Sequence, residues 1–90
     1  MLPRHNLTEE QWNLLRPLLP HTGRPANDQR KMLNGILWIL RTGAPWRDLH
    51  PFFGPWNTVY NTFARWRDQG VMERSLNALQ RDADADHRID

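Results

Sequence analysis

Hydrophobic side chains recur along this chain at the three- to four-residue spacing of an α-helix, and no segment alternates with the period of two that marks a strand. The first helical pattern opens at LTEEQW, where Thr8 and Gln11 have the spacing of a capping box. Leu7, before the cap, is placed to pack on Trp12 in the first turns. Pro17 has no backbone N–H and should bend or end this helix near its last turn.

The second pattern predicts a central helix in the sequence QRKMLNGILWILRT, capped by Asn27 or Asp28. Gly43 is the expected residue after its last turn, because glycine adopts the left-handed conformation without strain. Pro45 then prevents the helix from continuing. The buried face of this helix is expected to comprise Met32, Leu33, Ile36, Leu37, Ile39 and Leu40.

The second half of the chain predicts two more helices and a shorter element. A short third helix or turn at 46–53 has apolar anchors at Trp46, Leu49, Phe52 and Phe53. After a tight Gly-Pro turn, a helix spans about 56–69, and an amphipathic helix at 71–81 follows with Val71, Met72, Leu76 and Leu79 as its buried residues. The patterns therefore predict an all-α fold. It is a small helical domain of four to five helices over residues 1–81, with 82–90 as a solvated, disordered acidic linker or tail.

The helix at 56–69 has an apolar and a polar face. A turn of 100° per residue groups four apolar residues on one side, namely Val59, Tyr60, Phe63 and Trp66. The other side carries four polar residues, namely Asn57, Thr58 at the edge, Asn61 and Arg65. Arg67 flanks the apolar stripe and can reach sideways.

This polar face is suited to reading DNA. A short helix, a glycine-containing turn and a second helix with polar N-terminal residues match the helix-turn-helix pattern, here at about 46–69. The second helix of that motif lies in the major groove, where Asn pairs with adenine, Arg with guanine, and Thr with several bases. The alternative is an ordinary solvated helix face, because Asn, Thr and Arg are common surface residues.

A second DNA-binding element is predicted at 20–27, the sequence PHTGRPAN, which reads as an exposed arm. Its Gly-Arg-Pro core is like that of an AT-hook, in which proline keeps the backbone extended and arginine enters the narrow minor groove of A·T-rich DNA. Arg24 is the residue expected there. A major-groove helix combined with a minor-groove arm is the plan of a homeodomain.

Charge is distributed unevenly along the chain. Residues 11–67 carry eight basic side chains against two acidic ones, a balance of +6, whereas 68–90 carry three against six. Eleven of the twelve cations are arginine, which suits bidentate contacts to phosphate and guanine. This asymmetry favours a polyanionic partner, with Arg30, Lys31 and Arg47 expected to hold phosphates.

The sequence gives no sign of catalysis, metal binding or membrane insertion. Cysteine is absent, which excludes disulfides and thiolate metal sites, and the four histidines lack metal-ligand spacing. DADAD is similar to the start of an EF-hand loop, but His87 stands where glycine is expected, so an acidic linker is favoured. No catalytic residue, metal or cofactor is predicted. The start lacks the apolar core of a signal peptide and GILWIL is too short to cross a bilayer, so a cytoplasmic protein without a membrane partner is expected.

Four motifs occur in a fixed order over about residues 7–82: LTEEQWNLLRPLLP, GRP, RTGAPWRDL and FGPWNTVYNTFARW. In this order and spacing the chain resembles the N-terminal domain of bacterial insertion-sequence transposases of the DDE type. The resemblance implies a helical module that binds double-stranded DNA and recognises transposon ends. The positions that match are Arg24, Arg47 and the helix at 56–67.

The resemblance also implies what this chain does not do. In that family a catalytic domain with three separated carboxylates follows, and none of the acidic residues at 82–90 matches one of them, so the chain is expected to bind DNA without being an enzyme. Two classes of function stay open. One is sequence-specific recognition of terminal repeats, or repression of the element's own promoter. The other is a protein-interaction module that assembles transposase subunits as a homo-oligomer through 71–81 or an exposed aromatic surface.

Overall fold

Four α-helices and three short 3₁₀ turns make up the computed structural model of the chain, which describes residues 7–20 and 26–88. The helices are α1 (Glu9–Leu15), α2 (Ala26–Thr42), α3 (Trp56–Asp68) and α4 (Val71–Arg88). The turns lie at Arg16–Leu18, Trp46–Asp48 and Pro51–Phe53. No strand occurs in the described residues, and the predicted all-α fold is confirmed.

The start and end of α1 follow from local sequence chemistry. The Thr8 hydroxyl accepts a hydrogen bond of 3.1 Å from the Gln11 N–H, and the Gln11 side chain accepts one of 3.0 Å from the Thr8 N–H. Leu7 and Trp12 are both buried, as the predicted staple requires. α1 ends one residue before the 3₁₀ turn that contains Pro17, so the predicted end of this helix is confirmed.

The long helix α2 packs against α3, and it differs from its prediction in where it starts and in the burial of its last turn. It begins at Ala26, so a cap at Asn27 or Asp28 is wrong. Alanine is the strongest helix former, which favours a start at Ala26, before both predicted cap residues. Leu40 is 43 % exposed, since the last turn of α2 borders an open groove. Gly43 closes the helix at φ 72°, as predicted, and donates to the Ile39 carbonyl.

The element predicted at 46–53 as a short third helix or turn consists of two 3₁₀ turns between α2 and α3. Phe53 is buried, but its neighbour Phe52 is 42 % exposed, which corrects the prediction of Phe52 as a core anchor. A 3₁₀ turn rotates adjacent side chains by about 120°, so both rings cannot face the same core. Phe53 fits because α2 has no side chain at Gly35, where an added Cβ would lie 2.9 Å from the Phe53 Cβ.

The buried face of α3 is displaced from the predicted one. Val59 and Trp66 are buried as expected, and Phe63 is half-buried. Tyr60, however, is 37 % exposed, and Thr62 takes its place in the core. Thr62 tolerates burial because its hydroxyl donates to the Thr58 carbonyl one turn earlier, at 3.0 Å.

Helix α4 packs on α1 and α3 and is longer than predicted. Leu76 is 41 % exposed, whereas the small residues Ser75 and Ala78 are buried and allow close approach of the neighbouring helices. The helix continues to Arg88, so the prediction of a disordered tail is wrong over 82–88. Alanine alternates with aspartate there, and alanine is the strongest helix former.

Candidate nucleic-acid interface

Three polar side chains line the outer face of α3. Asn57, Asn61 and Arg65 are all exposed and stand four residues apart, so each lies about 6 Å further along the helix than the one before. We call these three residues the polar row. The buried residues Val59 and Trp66 lie on the opposite side, where α3 packs on α2 and α4. The fold therefore holds α3 by one face and leaves the predicted reading face in solvent.

One side of the polar row is bordered by aromatic rings. Trp46, in the first turn after α2, packs edge-on against Tyr60 with ring centroids 5.3 Å apart. The next residue, Arg47, is exposed and places its guanidinium 5.5 Å from the ring centroid of Trp56, the first residue of α3. A cation over an indole face is attracted by the ring's quadrupole. The aromatic contacts thus hold Arg47 beside the N-terminal end of the polar row.

Arg67 lies further along the same side of α3. Its guanidinium is 5.7 Å from the ring centroid of Phe63, and its Nε donates to the Asp68 carboxylate at 3.3 Å. Both charged side chains of this pair are more than half exposed, so the pair adds little stability. On a helical wheel Asp68 falls on the same face as the polar row, at its C-terminal end.

The other side of the polar row is bordered by a groove of about 310 Å³ between α2, the turn at Pro51–Phe53 and the start of α3. Lys31 and Phe52 line it, with the Lys31 ammonium 5.0 Å from the centroid of the half-exposed ring. Thr58, at the edge of the polar face, lines the same groove, and so does Asp28. A second cation is thus held on an aromatic ring, across α3 from Arg47.

The N-terminus of α3 lies between these two cations. Its cap residue is Pro55, and none of the described side chains caps the first turn. The first N–H groups of a helix have no partner within the helix, and they carry part of the positive end of its dipole. The field at this end of α3 therefore has the same sign as Lys31 and Arg47.

One predicted DNA-binding residue, Arg30, is not part of this surface. Arg30 forms an ion pair with Glu9 and donates a 3.2 Å hydrogen bond to the Leu7 carbonyl, so its guanidinium joins α2 to the start of α1. Arg24 and most of the predicted arm at 20–27 lie outside the described residues. The structure brings together Lys31, Arg47, Asn57, Thr58, Asn61, Arg65 and Arg67 around α3.

The aromatic partners of the cations are the part of this surface that sequence reasoning missed. Phe52 was expected in the core, and Trp56 received no role. The spacing of residues in the sequence could not have paired Lys31 with Phe52. The two residues lie on different elements and meet only because α2 packs on the turn at Pro51–Phe53.

Other kinds of site find no support in the described part of the chain. No three acidic or histidine side chains come together there in a way that could hold a metal ion. Within the same residues, no helix is both long enough and apolar enough to cross a membrane.

Comparison with known proteins identifies the family. The family described as "Putative transposase of IS4/5 family" (DUF4096) matches residues 7–76, which include α1 to α3 and the start of α4. The chain belongs to this family. The resemblance to insertion-sequence transposases is thus confirmed at the level of a transposase-related protein.

Two curated relatives are similar to the chain over most of its length. An uncharacterized protein, y4sN, from Sinorhizobium fredii is 33 % identical over 82 residues, which cover 87 % of this chain and 66 % of that protein. An uncharacterized 16.2 kDa protein of insertion element IS402 from Burkholderia cepacia is 33 % identical over 94 residues, which cover 93 % of this chain and 64 % of that protein. The chain therefore spans about two thirds of the length of the curated relatives it matches. No solved structure matches it significantly.

Proposed function

We propose that the chain is a sequence-specific binding module for double-stranded DNA that recognises the terminal repeats of an insertion element. The observation that carries this proposal is the polar row of α3, exposed along its length and bordered by cations on both sides. Membership of a transposase family and similarity to a protein of insertion element IS402 are the reasons for proposing insertion-element DNA as the target.

The dimensions of α3 suit the major groove. A helix with its side chains is about 10–12 Å across, and the groove of B-DNA is about 12 Å wide. Successive residues of the polar row are about 6 Å apart, which corresponds to roughly two base pairs. Asn57 and Asn61 can each pair with adenine through two hydrogen bonds, and Arg65 can pair with guanine in the same way.

The predicted helix-turn-helix also belongs to this proposal, with the 3₁₀ turns at Trp46–Asp48 and Pro51–Phe53 in the place of its first helix. The turn at Pro51–Phe53 leads through Gly54, at φ 109°, and Pro55 into α3, which would be the recognition helix. The first turns of such a helix lie nearest the bases, and here they carry Asn57 and Asn61. Arg24 would enter the minor groove beside the site, where A·T-rich DNA is narrow and electronegative.

The deciding experiment compares specific with random DNA. A preferred duplex is first selected from a random pool. Asn61→Ala and Arg65→Ala should then each cost about 1–3 kcal/mol on that duplex and little on random DNA, because only a base contact is lost.

The matched controls are Asn13→Ala and Arg16→Ala. Asn13 is exposed on α1 and Arg16 is exposed on the turn that follows it, and both elements pack against α4. They should leave binding to both duplexes unchanged. If Asn61→Ala and Arg65→Ala weaken specific and random DNA alike while circular dichroism is unchanged, α3 does not read bases and the assignment is wrong.

Salt dependence tests the electrostatic part of the proposal. If the module neutralises about five phosphates, log K should fall with log salt with a slope of about −4 to −5. A slope near zero, or no binding at low salt, would contradict DNA binding. Competition between terminal-repeat and promoter duplexes then separates end recognition from repression of the element's own promoter.

Binding without cutting is also part of the proposal. Two-metal strand transfer needs carboxylates arranged closely around divalent cations. A plasmid incubated with the purified chain and Mg²⁺ or Mn²⁺ should stay intact. Cleavage that disappears when one carboxylate is replaced would overturn this part.

Self-association is the second candidate function, and one observation favours it. Leu40 and Leu76 are both more than 40 % exposed and line one groove between α2 and α4. A second copy that packed there would bury both side chains. Sedimentation without DNA, as a function of concentration, should then show a dimer that Leu76→Glu abolishes and Asn77→Glu does not. A monomer at every concentration removes this candidate.

A further inference from the structure

We propose that Lys31 and Arg47 bind phosphates of opposite DNA strands, and that Phe52 and Trp56 hold these cations in place for that contact. This inference rests on the proposed function and makes it more specific, because it assigns each cation to one strand. It gives the two aromatic rings a role as positioning residues that touch no base.

The positions of the two cations carry the strand assignment. Arg47 lies over Trp56, on the side of α3 where Trp46 packs on Tyr60. Lys31 lines the groove that Thr58 also lines, and Thr58 lies about 160° around α3 from Trp56. Both lie at the N-terminal end of α3, beside the first residues of the polar row. When a helix lies in a major groove, its two sides face the two phosphate backbones.

The exposure of the rings supports their role as positioning residues. Phe52 and Trp56 are 42 % and 37 % exposed, so more than a third of each residue faces solvent, although the Phe52 ring also packs edge-on against Phe53 with ring centroids 5.3 Å apart. Each carries a cation over its face, at 5.0 Å and 5.5 Å. A lysine or arginine side chain has many rotamers and loses entropy when it binds a phosphate. An aromatic ring that already holds the aliphatic stem and the charged group of the side chain in place lowers this loss of entropy.

Phosphate neutralisation tests the strand assignment. On the selected duplex, phosphates near the site are replaced one at a time, in either strand, by uncharged methylphosphonates. Wild-type affinity should fall at positions in both strands. Lys31→Ala should remove the sensitivity in one strand only, and Arg47→Ala in the other strand only. If both variants lose sensitivity in the same strand, or neither loses any, the assignment is wrong.

The rings are tested by variants that keep every charge. Phe52→Leu and Trp56→Leu should weaken DNA binding by about two- to fivefold, the size of an exposed cation–π contact, and leave the salt slope unchanged. Lys31→Ala should lower the slope by about one, because a phosphate contact is lost. Phe52→Tyr and Trp56→Phe keep a ring and should bind like wild type, with circular dichroism confirming the fold of each variant.

The outcomes separate this inference from the proposed function. If the wild-type chain binds no duplex, both the proposed function and this inference are wrong. Normal specific binding that Phe52→Leu and Trp56→Leu leave unchanged would overturn the role of the rings alone. A loss confined to duplexes with unpaired bases would also overturn it, because it would mean that the rings stack on bases.

Discussion

The backbone N–H of Leu7 donates a buried hydrogen bond of 2.8 Å to the side-chain carbonyl of Asn34. Asn34 lies in the middle of α2, between buried leucine and isoleucine residues, and is itself buried. A polar group in such a place is stabilising only while its partner is present. The contact therefore fixes the entry of the chain into α1 against the central helix.

Asn34→Ala should lower the free energy of unfolding by about 1–3 kcal/mol, because the buried Leu7 N–H loses its acceptor. Urea unfolding followed by circular dichroism measures the change. Asn77→Ala, at an exposed position of α4, serves as the control and should change stability by less than about 0.5 kcal/mol. Equal stability of the two variants would show that the hydrogen bond contributes nothing.

Gly35→Ala should destabilise the fold although alanine is the better helix former. The added Cβ would lie 2.9 Å from the Phe53 Cβ and 3.0 Å from its Cγ, so Phe53 and the turn at Pro51–Phe53 must move. Overpacking costs about 1–3 kcal/mol, and a Cβ–Cβ contact of 2.9 Å places this case above the helix-propensity gain of about 1 kcal/mol. A thermal midpoint at or above that of wild type would contradict this account.

Ser75→Ala should raise stability by about 1 kcal/mol. The Ser75 hydroxyl is fully buried in α4 and makes no hydrogen bond to any residue that the structure describes, and an unpaired buried hydroxyl carries its desolvation cost. Alanine removes that group and favours the helix slightly. The same urea titration, with Asn77→Ala again as control, measures the gain. A loss of stability would mean that the hydroxyl has a partner in solution.

Asp68→Asn should strengthen DNA binding. The Asp68 carboxylate pairs with Arg67 and stands at the C-terminal end of the polar row, where it opposes an approaching phosphate backbone. Removing its charge should raise affinity by about two- to fivefold at low salt, and the gain should shrink as salt screens the charge. Glu73→Gln removes an exposed carboxylate from α4 and should have a smaller effect. Equal effects of the two variants would mean that only net charge matters.

Local chemistry made part of this fold predictable. The Thr8–Gln11 capping box and the left-handed Gly43 depend on a few adjacent residues, and both occur as predicted. Burial at the edges of helical faces was not predictable in the same way. Tyr60, Leu40 and Leu76 lie at such edges, and their exposure depends on which neighbouring element covers them.

The candidate interface likewise has one part that local sequence predicts and one part that it does not. The helical period was sufficient to place Asn57, Asn61 and Arg65 together on the outer face of α3. Contacts between separate elements could not be read from the sequence. Charge alone suggested a phosphate contact for Arg30, yet tertiary packing pairs it with Glu9.

The seven-residue helix α1 is too short to be stable by itself, since isolated helices need at least about 12–15 residues. Its anchors come from α2, through Asn34 and Arg30, and from the packing of α4. α1 should therefore behave as a cooperative unit that can detach while the α2–α3 pair stays folded. Native-state hydrogen exchange should show its amides opening together at a lower free energy than those of α2. Asn34→Ala should lower that local value and leave DNA binding, which uses α3, nearly unchanged.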